Sequence, residues 1–534
     1  MLFSSAPFVF GFLPIALTVY FLCGRHSPRW AIVWMVLASL FFYAQWNPAF
    51  LPLLLGSVLG NYLIGRRLER HPSRWLLVLG VGTNLALIAW FKYAHFVLNT
   101  VNDVSGAGWT LPAIVLPLAI SFYTFQQIAY LVDVQAGQPA ERDLSRYAFF
   151  VLFFPQLIAG PIVYPREVLR QLDDERVFRL NTRHLAIGLA LFAIGLFKKV
   201  CLADPLSPVV NDIFGMAALG KVPAFGEAWT ATLAYTLQLY FDFSGYSDMA
   251  IGIALMANIR LPINFWSPYK AASVIEFWSR WHVTLTRFLT DYVYSPIALS
   301  LTRRRMAKGL PVLRRSSFAL TPFLILVGVP TIITFLLSGL WHGAGWNFVL
   351  WGLIHGVMLV VNHAWRGIRL TYRIGPDVGR WFRPLGVLLT FLCVSVSLVI
   401  FKSSDLPQAW TMMKGLAQVP TTYGAYEVLM SYFPQVVAGL AVVWLLPNAL
   451  EWVGGFSPEK NPVPSFIERA ASVAVAGSRR VPALSIVFKP LAPEAGILRW
   501  APSFASGVVM GTLACFGIIR MLGVSPTEFL YFTF

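Results

Sequence analysis

Long apolar runs separated by short polar stretches recur along nearly the whole chain of 534 residues. Many of these runs reach the length of about 20 residues that an α-helix needs to cross the hydrocarbon core of a bilayer. The pattern predicts an all-α polytopic membrane protein with about twelve transmembrane helices in a single integral membrane domain, residues 1–534. The predicted spans are 7–24, 30–46, 48–65, 75–93, 112–133, 184–203, 228–256, 317–340, 344–365, 384–401, 430–450 and 504–522.

Two stretches do not fit a simple crossing. Residues 147–164 lie between two basic clusters, and their core contains Pro155, Gly160 and Pro161. We therefore predict a re-entrant segment that packs inside protein, where irregular backbone is tolerated at membrane depth. The Pro-rich residues 453–503 predict a long cytoplasmic loop with little core of its own.

Composition agrees with a membrane protein, because 57% of the residues are hydrophobic and only 12% are charged. Soluble domains carry roughly 25% charged residues, so a cytosolic enzyme, a disordered hub and a disulfide scaffold are excluded. The four cysteines are scattered and form no CxxC pair, which argues against a zinc knuckle or a redox dithiol. They are Cys23, Cys201, Cys393 and Cys515.

The net charge of +17 comes from short basic clusters between the apolar runs. This distribution is typical of topology signals and not of a nucleic-acid-binding face. The positive-inside rule places the clusters in the cytoplasm, and twelve crossings then place both termini outside, including an extracytoplasmic aromatic C-terminal tail, residues 524–534. Positive charge begins only at Arg25, so the first apolar run lacks the basic n-region of a cleaved signal peptide and is predicted to be retained.

Ionisable residues inside apolar segments mark candidate chemistry, because a charge at the bilayer centre costs about 2.5–3.5 kcal/mol. Three of the eight histidines lie away from loops and basic clusters: His282, His342 and His355. Residues 276–292 predict an amphipathic helix with Glu276 and Arg280 on its charged face and His282 on its apolar face. The alternative for His282 is a core histidine that bonds a backbone carbonyl.

His342 lies in the sequence LWHGAGW, residues 340–346, between two strongly apolar runs. Gly343 and Gly345 carry no Cβ, which predicts room for a substrate beside the imidazole. A neutral, desolvated imidazole can take a proton from a hydroxyl that attacks a thioester. The alternative is a histidine that only caps the end of a span.

Asp242 and Asp248 place two carboxylates in another apolar run, but six residues apart they do not share a helix face. An acid/base dyad would require Gly245 to break the helix, so we expect ion pairs with an arginine such as Arg280. The chain has no HExxH motif, no Gly-x-Ser-x-Gly elbow and no Walker A loop. It therefore predicts no metal site, no hydrolase elbow and no ATP-driven pump.

Seven motifs together resemble the membrane-bound O-acyltransferase family, and within it the bacterial branch of alginate and peptidoglycan O-acetyltransferases. They lie at residues 1–5, 91–93, 116–126, 154–161, 242–248, 276–282 and 340–343. The resemblance implies helices around a central tunnel, with His342 as catalytic residue and His282 as the second polar group of the active site. The implied substrate-binding residues are Trp278, Arg280, Trp281, Asp242, Asp248 and Trp341.

The resemblance also implies a reaction. Acetyl-CoA or another acyl thioester is the donor, no cofactor is permanently bound, and the acetyl group crosses the bacterial inner membrane to an exported polysaccharide such as alginate. Tyr531 in the C-terminal tail is the candidate carrier, and the partners are membrane lipid, a polysaccharide biosynthesis complex and a periplasmic SGNH-type acetyltransferase.

Other interpretations stay open from the residues themselves. The histidines and aspartates would also serve as proton relay residues in a transporter or flippase for a lipid-linked sugar. A scaffold that only organises a secretion complex is a third possibility. Tyr531 alone would be interpreted as an interfacial aromatic anchor.

Overall fold

A computed structural model describes residues 1–313, 318–372, 382–419, 426–453, 504–523 and 529–530, and these residues form helices and no β-strand. The predicted all-α polytopic class is confirmed. The α-helices are α1 Leu13–His26, α2 Pro28–Ala44, α3 Leu51–Arg70, α4 Arg74–Ile88, α5 Ala94–Ser105, α6 Ile120–Gln135, α7 Leu144–Leu152, α8 Phe154–Leu157, α9 Pro165–Leu169, α10 Thr182–Phe197, α11 Ser207–Ala218, α12 Phe225–Met256, α13 Val274–Trp278, α14 Val283–Leu289, α15 Ser295–Ala307, α16 Leu320–Phe323, α17 Val329–His342, α18 Trp346–Thr371, α19 Arg383–Lys402, α20 Leu406–Ala417, α21 Tyr426–Leu445, α22 Ala449–Trp452 and α23 Phe504–Gly523. Turns of π geometry at Pro7–Phe12, Ala89–Tyr93, Lys198–Ala203, Thr290–Tyr294 and Leu324–Gly328 extend several of them.

Within the described ranges, eight helical segments are long and apolar enough to cross a membrane. They are Pro7–His26, Pro48–Arg70, Arg74–Ser105, Thr182–Ala218, Leu320–His342, Trp346–Thr371, Arg383–Lys402 and Phe504–Gly523. The predicted spans 30–46 and 430–450 correspond to shorter apolar helices, Pro28–Ala44 and Ser431–Leu445. The number of twelve crossings therefore stays a prediction.

The segment predicted to be re-entrant is broken where its prolines are. Helix α7 ends at Leu152 and α8 is a single turn, so neither helix has the length that a crossing requires. Residues 147–165 are buried without interruption. The predicted cytoplasmic loop, residues 453–503, lies outside the described residues from 454 onward.

The chain divides into two compact units. The first comprises residues 1–204 and 241–262 together with the described residues from 504 onward. The second comprises residues 205–240 and the described residues from 263 to 453.

In the first unit, α10 and α12 pack backbone against backbone. A Cβ atom added to Gly195 would lie 2.5 Å from the carbonyl oxygen of Gly245, and one added to Gly188 would lie 2.5 Å from that of Gly252. Small residues allow such an approach, which maximises van der Waals contact between helices in a membrane. The contact brings the turn that follows α10 beside the second half of α12.

In the second unit, α17 and α18 form a close antiparallel pair joined by residues 343–345. A Cβ atom on Gly339 would collide with the carbonyl oxygen of Phe348, and one on Gly352 would collide with that of Phe335. The last turns of α17 therefore lie directly against the first turns of α18.

We expect Gly195→Ala to destabilise the protein, since overpacking a close contact costs about 1–3 kcal/mol. Gly56→Ala in α3 is the matched control, because its new Cβ atom meets no heavy atom within 4 Å. Both changes raise helix propensity by about 1 kcal/mol, so the difference between their effects on stability isolates the cost of packing. Thermal unfolding of the detergent-solubilised variants measures this difference. Equal shifts of the unfolding temperature in both variants would contradict the close packing at Gly195.

Candidate active site

His342 is the last residue of α17 and is only 6% exposed. Its ring centroid lies 5.2 Å from that of Trp351, 5.2 Å from that of Phe401 and 4.9 Å from that of Trp341. These aromatic rings exclude water from several sides of the imidazole. The predicted catalytic histidine thus lies in a largely apolar environment at the end of a helix.

The glycines after His342 do not leave the space that the sequence predicts. A Cβ atom on Gly343 would collide with the ring of Phe348, and one on Gly345 would collide with the Asn347 side chain. Asn347 in turn donates a hydrogen bond of 2.7 Å to the carbonyl oxygen of Ser403. The space beside the glycines is filled by α18, because this helix turns back directly onto the end of α17.

The predicted amphipathic helix over 276–292 is wrong as a continuous element. Helix α13 ends at Trp278, and α14 begins only at Val283. The backbone N–H of Val283 donates to the carbonyl oxygen of Asn264, and the Asn264 side chain accepts from the Thr284 hydroxyl at 2.9 Å. These bonds to a distant segment replace the bonds that would continue the helix.

His282 lies at this break in the left-handed conformation, with φ 43° and ψ 50°. A non-glycine residue pays about 1–3 kcal/mol for such a backbone geometry, so the surrounding contacts hold it there. Its side chain is completely buried. Burial lowers the pKa of the His282 imidazole, so the ring is neutral at pH 7.

The indole of Trp341 contacts both candidate histidines. Its centroid lies 5.9 Å from that of His282 and 4.9 Å from that of His342. The sequence places the two histidines 60 positions apart, and it contains no signal for this shared contact. The structure therefore brings His282, Trp341 and His342 into one cluster.

His355 belongs to the same cluster, although its sequence context predicts no role for it. Its Nδ1 accepts a hydrogen bond of 3.2 Å from the Trp278 indole N–H. Its Nε2 lies 2.8 Å from the Ser397 hydroxyl, which donates its own hydrogen to the Val394 carbonyl oxygen. This network assigns a neutral imidazole with the proton on Nε2. Both nitrogens are engaged, so His355 orients Trp278.

Arg280 and Trp281 lie beside the break with different surroundings. Arg280 forms an ion pair of 2.8 Å with Glu276, and this carboxylate also accepts from the backbone N–H of Ala272. Trp281 packs in an aromatic cluster, stacked on Phe277 with the centroids 5.6 Å apart. Both residues thus help to hold α13 in place.

Asp242 and Asp248 belong to the first unit and pair with lysines, so the expected pairing with an arginine is wrong. Asp248 Oδ2 lies 2.6 Å from Lys198 Nζ, and Asp242 Oδ1 lies 2.6 Å from Lys199 Nζ. Gly245 does not break α12, so adjacent lysines in the turn after α10 bind the two carboxylates separately. The available signal was two consecutive lysines inside the apolar run 184–203. Tyr531 lies outside the described residues.

A cavity of about 20 Å³ lies beside the histidine cluster, and Trp278 contributes to its wall. Ser338, one turn before His342, also lines it. The remaining wall combines apolar and hydroxyl-bearing side chains with one imidazole, namely Leu285, Thr286, Leu289, Thr290, Tyr294, Thr331, Thr334, Phe335, Leu359 and His363. Nowhere in the described ranges do three or more His, Cys, Asp or Glu side chains form a group able to hold a metal ion.

We expect Trp278 and His355 to be energetically coupled. His355→Leu leaves the buried indole N–H without its acceptor, which costs about 1–3 kcal/mol. Trp278→Phe removes that donor. The double variant should therefore lose less free energy of unfolding than the two single variants lose in sum. A thermal-unfolding double-mutant cycle measures this coupling, and strict additivity would contradict the hydrogen bond.

Comparisons with known proteins agree with the motifs. The model of the membrane-bound O-acyltransferase family matches residues 142–318. A peptidoglycan O-acetyltransferase of Helicobacter pylori is 41% identical, over 78% of this chain and 80% of that protein. A probable alginate O-acetylase of Pseudomonas aeruginosa is 34% identical over 100% of both chains. A teichoic acid D-alanyltransferase of Streptococcus thermophilus is 26% identical, over 76% of this chain and 96% of that protein.

Proposed function

Since this chain belongs to the membrane-bound O-acyltransferase family and is thus a multi-pass membrane acyltransferase, we propose that it transfers an acetyl group for O-acetylation of an exported polysaccharide. The acetyl group comes from a cytoplasmic thioester, with acetyl-CoA as the donor. The observation that carries the proposal is the contact of His282 and His342 with one indole, Trp341, in a buried cluster.

His342 is the general base in this proposal. Its imidazole takes the proton of the attacking hydroxyl, the new ester C–O bond forms, and the thioester C–S bond breaks. The imidazole then returns the proton to the departing thiolate, so no proton is gained or lost overall. Burial among Trp341, Trp351 and Phe401 supports this role, because it keeps competing water away from the acyl group.

His282 assists as a neutral imidazole. It is held in a left-handed conformation that Asn264 supports through the start of α14. Strained backbone of this kind clusters at functional sites, where the surrounding structure determines it. Trp278, Trp281 and Trp341 then line the substrate site, with Arg280 beside the thioester donor. Asp242 and Asp248, which belong to the first unit, stay proposed substrate-binding residues.

Tyr531 is the proposed covalent carrier. Its phenol is the first acceptor, and the acetyl ester then passes to a hydroxyl of the sugar. We place the basic loops in the cytoplasm and both termini outside, so the C-terminal tail meets the acceptor on the outer face of the inner membrane. A periplasmic SGNH-type acetyltransferase completes the transfer within a polysaccharide biosynthesis complex.

The relatives support a polysaccharide acceptor, since their names describe acetylation of peptidoglycan and of alginate. Alginate is our preferred polymer, because a relative that matches over the full length of both chains is a probable alginate O-acetylase. Family membership also favours acyl transfer over the transport of a lipid-linked sugar.

His342→Ala should reduce polysaccharide acetylation in cells by about a hundredfold or more, as expected for the loss of a general base. His26→Ala is the matched control, since that imidazole is exposed. Acetate released from the purified polymer by mild alkali measures the effect at equal membrane expression. Wild-type acetylation in His342→Ala would overturn the assignment of the base.

His282→Asn separates chemistry from folding. Asparagine tolerates the left-handed conformation, so we expect the variant to keep the wild-type unfolding temperature. It lacks an imidazole, so acetylation should fall about tenfold or more. Full activity in a stable His282→Asn protein would show that the ring is only a core side chain.

Tyr531→Phe should abolish labelling of the C-terminal peptide when purified protein is incubated with radiolabelled acetyl-CoA. Tyr372→Phe is the control, because Tyr372 is a highly exposed tyrosine. Peptide mass spectrometry locates the label. An acetylated C-terminal peptide in Tyr531→Phe, or none in the wild type, would exclude Tyr531 as the carrier.

A further inference from the structure

Residues 529–530 of the C-terminal tail are docked inside the first unit. The Phe529 side chain is 3% exposed, and its ring centroid lies 4.6 Å from that of Tyr246 and 5.8 Å from that of Phe243. Tyr246 also stacks on Phe3, with the ring centroids 4.8 Å apart and an interplanar angle of 14°. An aromatic anchor in the membrane interface would be exposed, so this burial indicates a binding site within the protein.

The backbone of the tail is bound as well as its side chain. The Leu530 N–H donates a hydrogen bond of 3.0 Å to Asp242 Oδ2. Because the donor is a main-chain group, this bond orients the path of the chain and does not depend on the side chain at position 530.

The acceptor is a buried and charged carboxylate. Asp242 is 1% exposed, and its Oδ1 lies 2.6 Å from Lys199 Nζ. The same ammonium group lies 2.8 Å from Asp204 Oδ1, so one lysine is shared between two carboxylates. The neighbouring Lys198 Nζ lies 2.6 Å from Asp248 Oδ2. An additional N–H donor stabilises a carboxylate that shares its counter-ion, and the backbone of Leu530 provides this donor.

We propose that Asp242, held by Lys199, is a positioning residue that docks the C-terminal tail on α12. The site takes an aromatic side chain at position 529 and a backbone N–H at position 530. It thereby fixes the chain one residue before Tyr531. That this positions an acetyl carrier rests on the proposed function. The docking itself rests only on the contacts of residues 529 and 530.

A photocrosslink tests the docking directly. Phe529 is replaced by p-benzoylphenylalanine in the full-length protein in membranes, and the crosslinked peptides are identified by mass spectrometry after irradiation. We expect a crosslink to the peptide of α12 that contains Phe243 and Tyr246. Leu530→Pro removes the N–H donor and should lower the yield roughly fivefold or more, since a hydrogen bond to a charged acceptor is worth at least that factor.

Leu530→Ala is the matched control, because it shortens the side chain and keeps the N–H. Its crosslink yield should stay at the level of the Leu530 protein. An unchanged yield in Leu530→Pro, or crosslinks that form only to lipid or to other peptides, would overturn the docking site. Asp242→Ala is an independent test, because it removes the acceptor of the same hydrogen bond. It should lower the crosslink yield as much as Leu530→Pro does.

Acetyl labelling separates the docking from the proposed function. If docking positions the carrier, Leu530→Pro loses both the crosslink and the label on the C-terminal peptide, while its unfolding temperature stays near that of Leu530→Ala. If Tyr531 is not the carrier, position 529 still crosslinks to α12 and Leu530→Pro still lowers the yield, but the C-terminal peptide carries no acetyl label in any variant. Normal labelling in a Leu530→Pro protein that has lost its crosslink would show that docking does not position the carrier.

Discussion

Close backbone contact between paired helices is the constraint on which both units depend. At Gly195 and Gly245 in the first unit, and at Gly339 and Gly352 in the second, there is no room for a Cβ atom. Lipid offers helices no hydrophobic driving force to associate, so such contacts supply much of the cohesion through van der Waals packing. Each pair also brings polar side chains of one helix to the other.

The polar groups of the two units are held in different ways. In the first unit, the turn after α10 presents Lys198 and Lys199 to the carboxylates of α12, so buried charges of opposite sign are paired. In the second unit, the imidazoles of His342 and His355 contact the indole of Trp351 at the end of the α17–α18 pair. Buried charges are paired in one unit, whereas buried imidazoles and indoles are gathered in the other. In the proposed reaction, the second kind of site keeps water away from the acyl thioester.

Sequence patterns pointed to several residues of the candidate site but not to their arrangement. They indicated His282 and His342, since a histidine in an apolar run stands out, and the motifs around them resembled a known family. They also singled out His355 but gave it no role, because nothing in its surroundings marks it as the acceptor for Trp278. They also predicted a continuous helix through His282, whereas the side chain of Asn264 caps a new helix there. Periodicity describes one segment at a time and contains no information about a partner 20 residues away.

The sequence by itself determined the class of the protein, its membrane location and its family. These follow from local quantities, because transfer free energies add residue by residue and motifs are short. Only the tertiary structure decided which lysine pairs with which aspartate, which indole contacts both histidines, and that the space beside Gly343 belongs to Phe348. Such contacts depend on the distance between helices, which is set by packing over the whole unit.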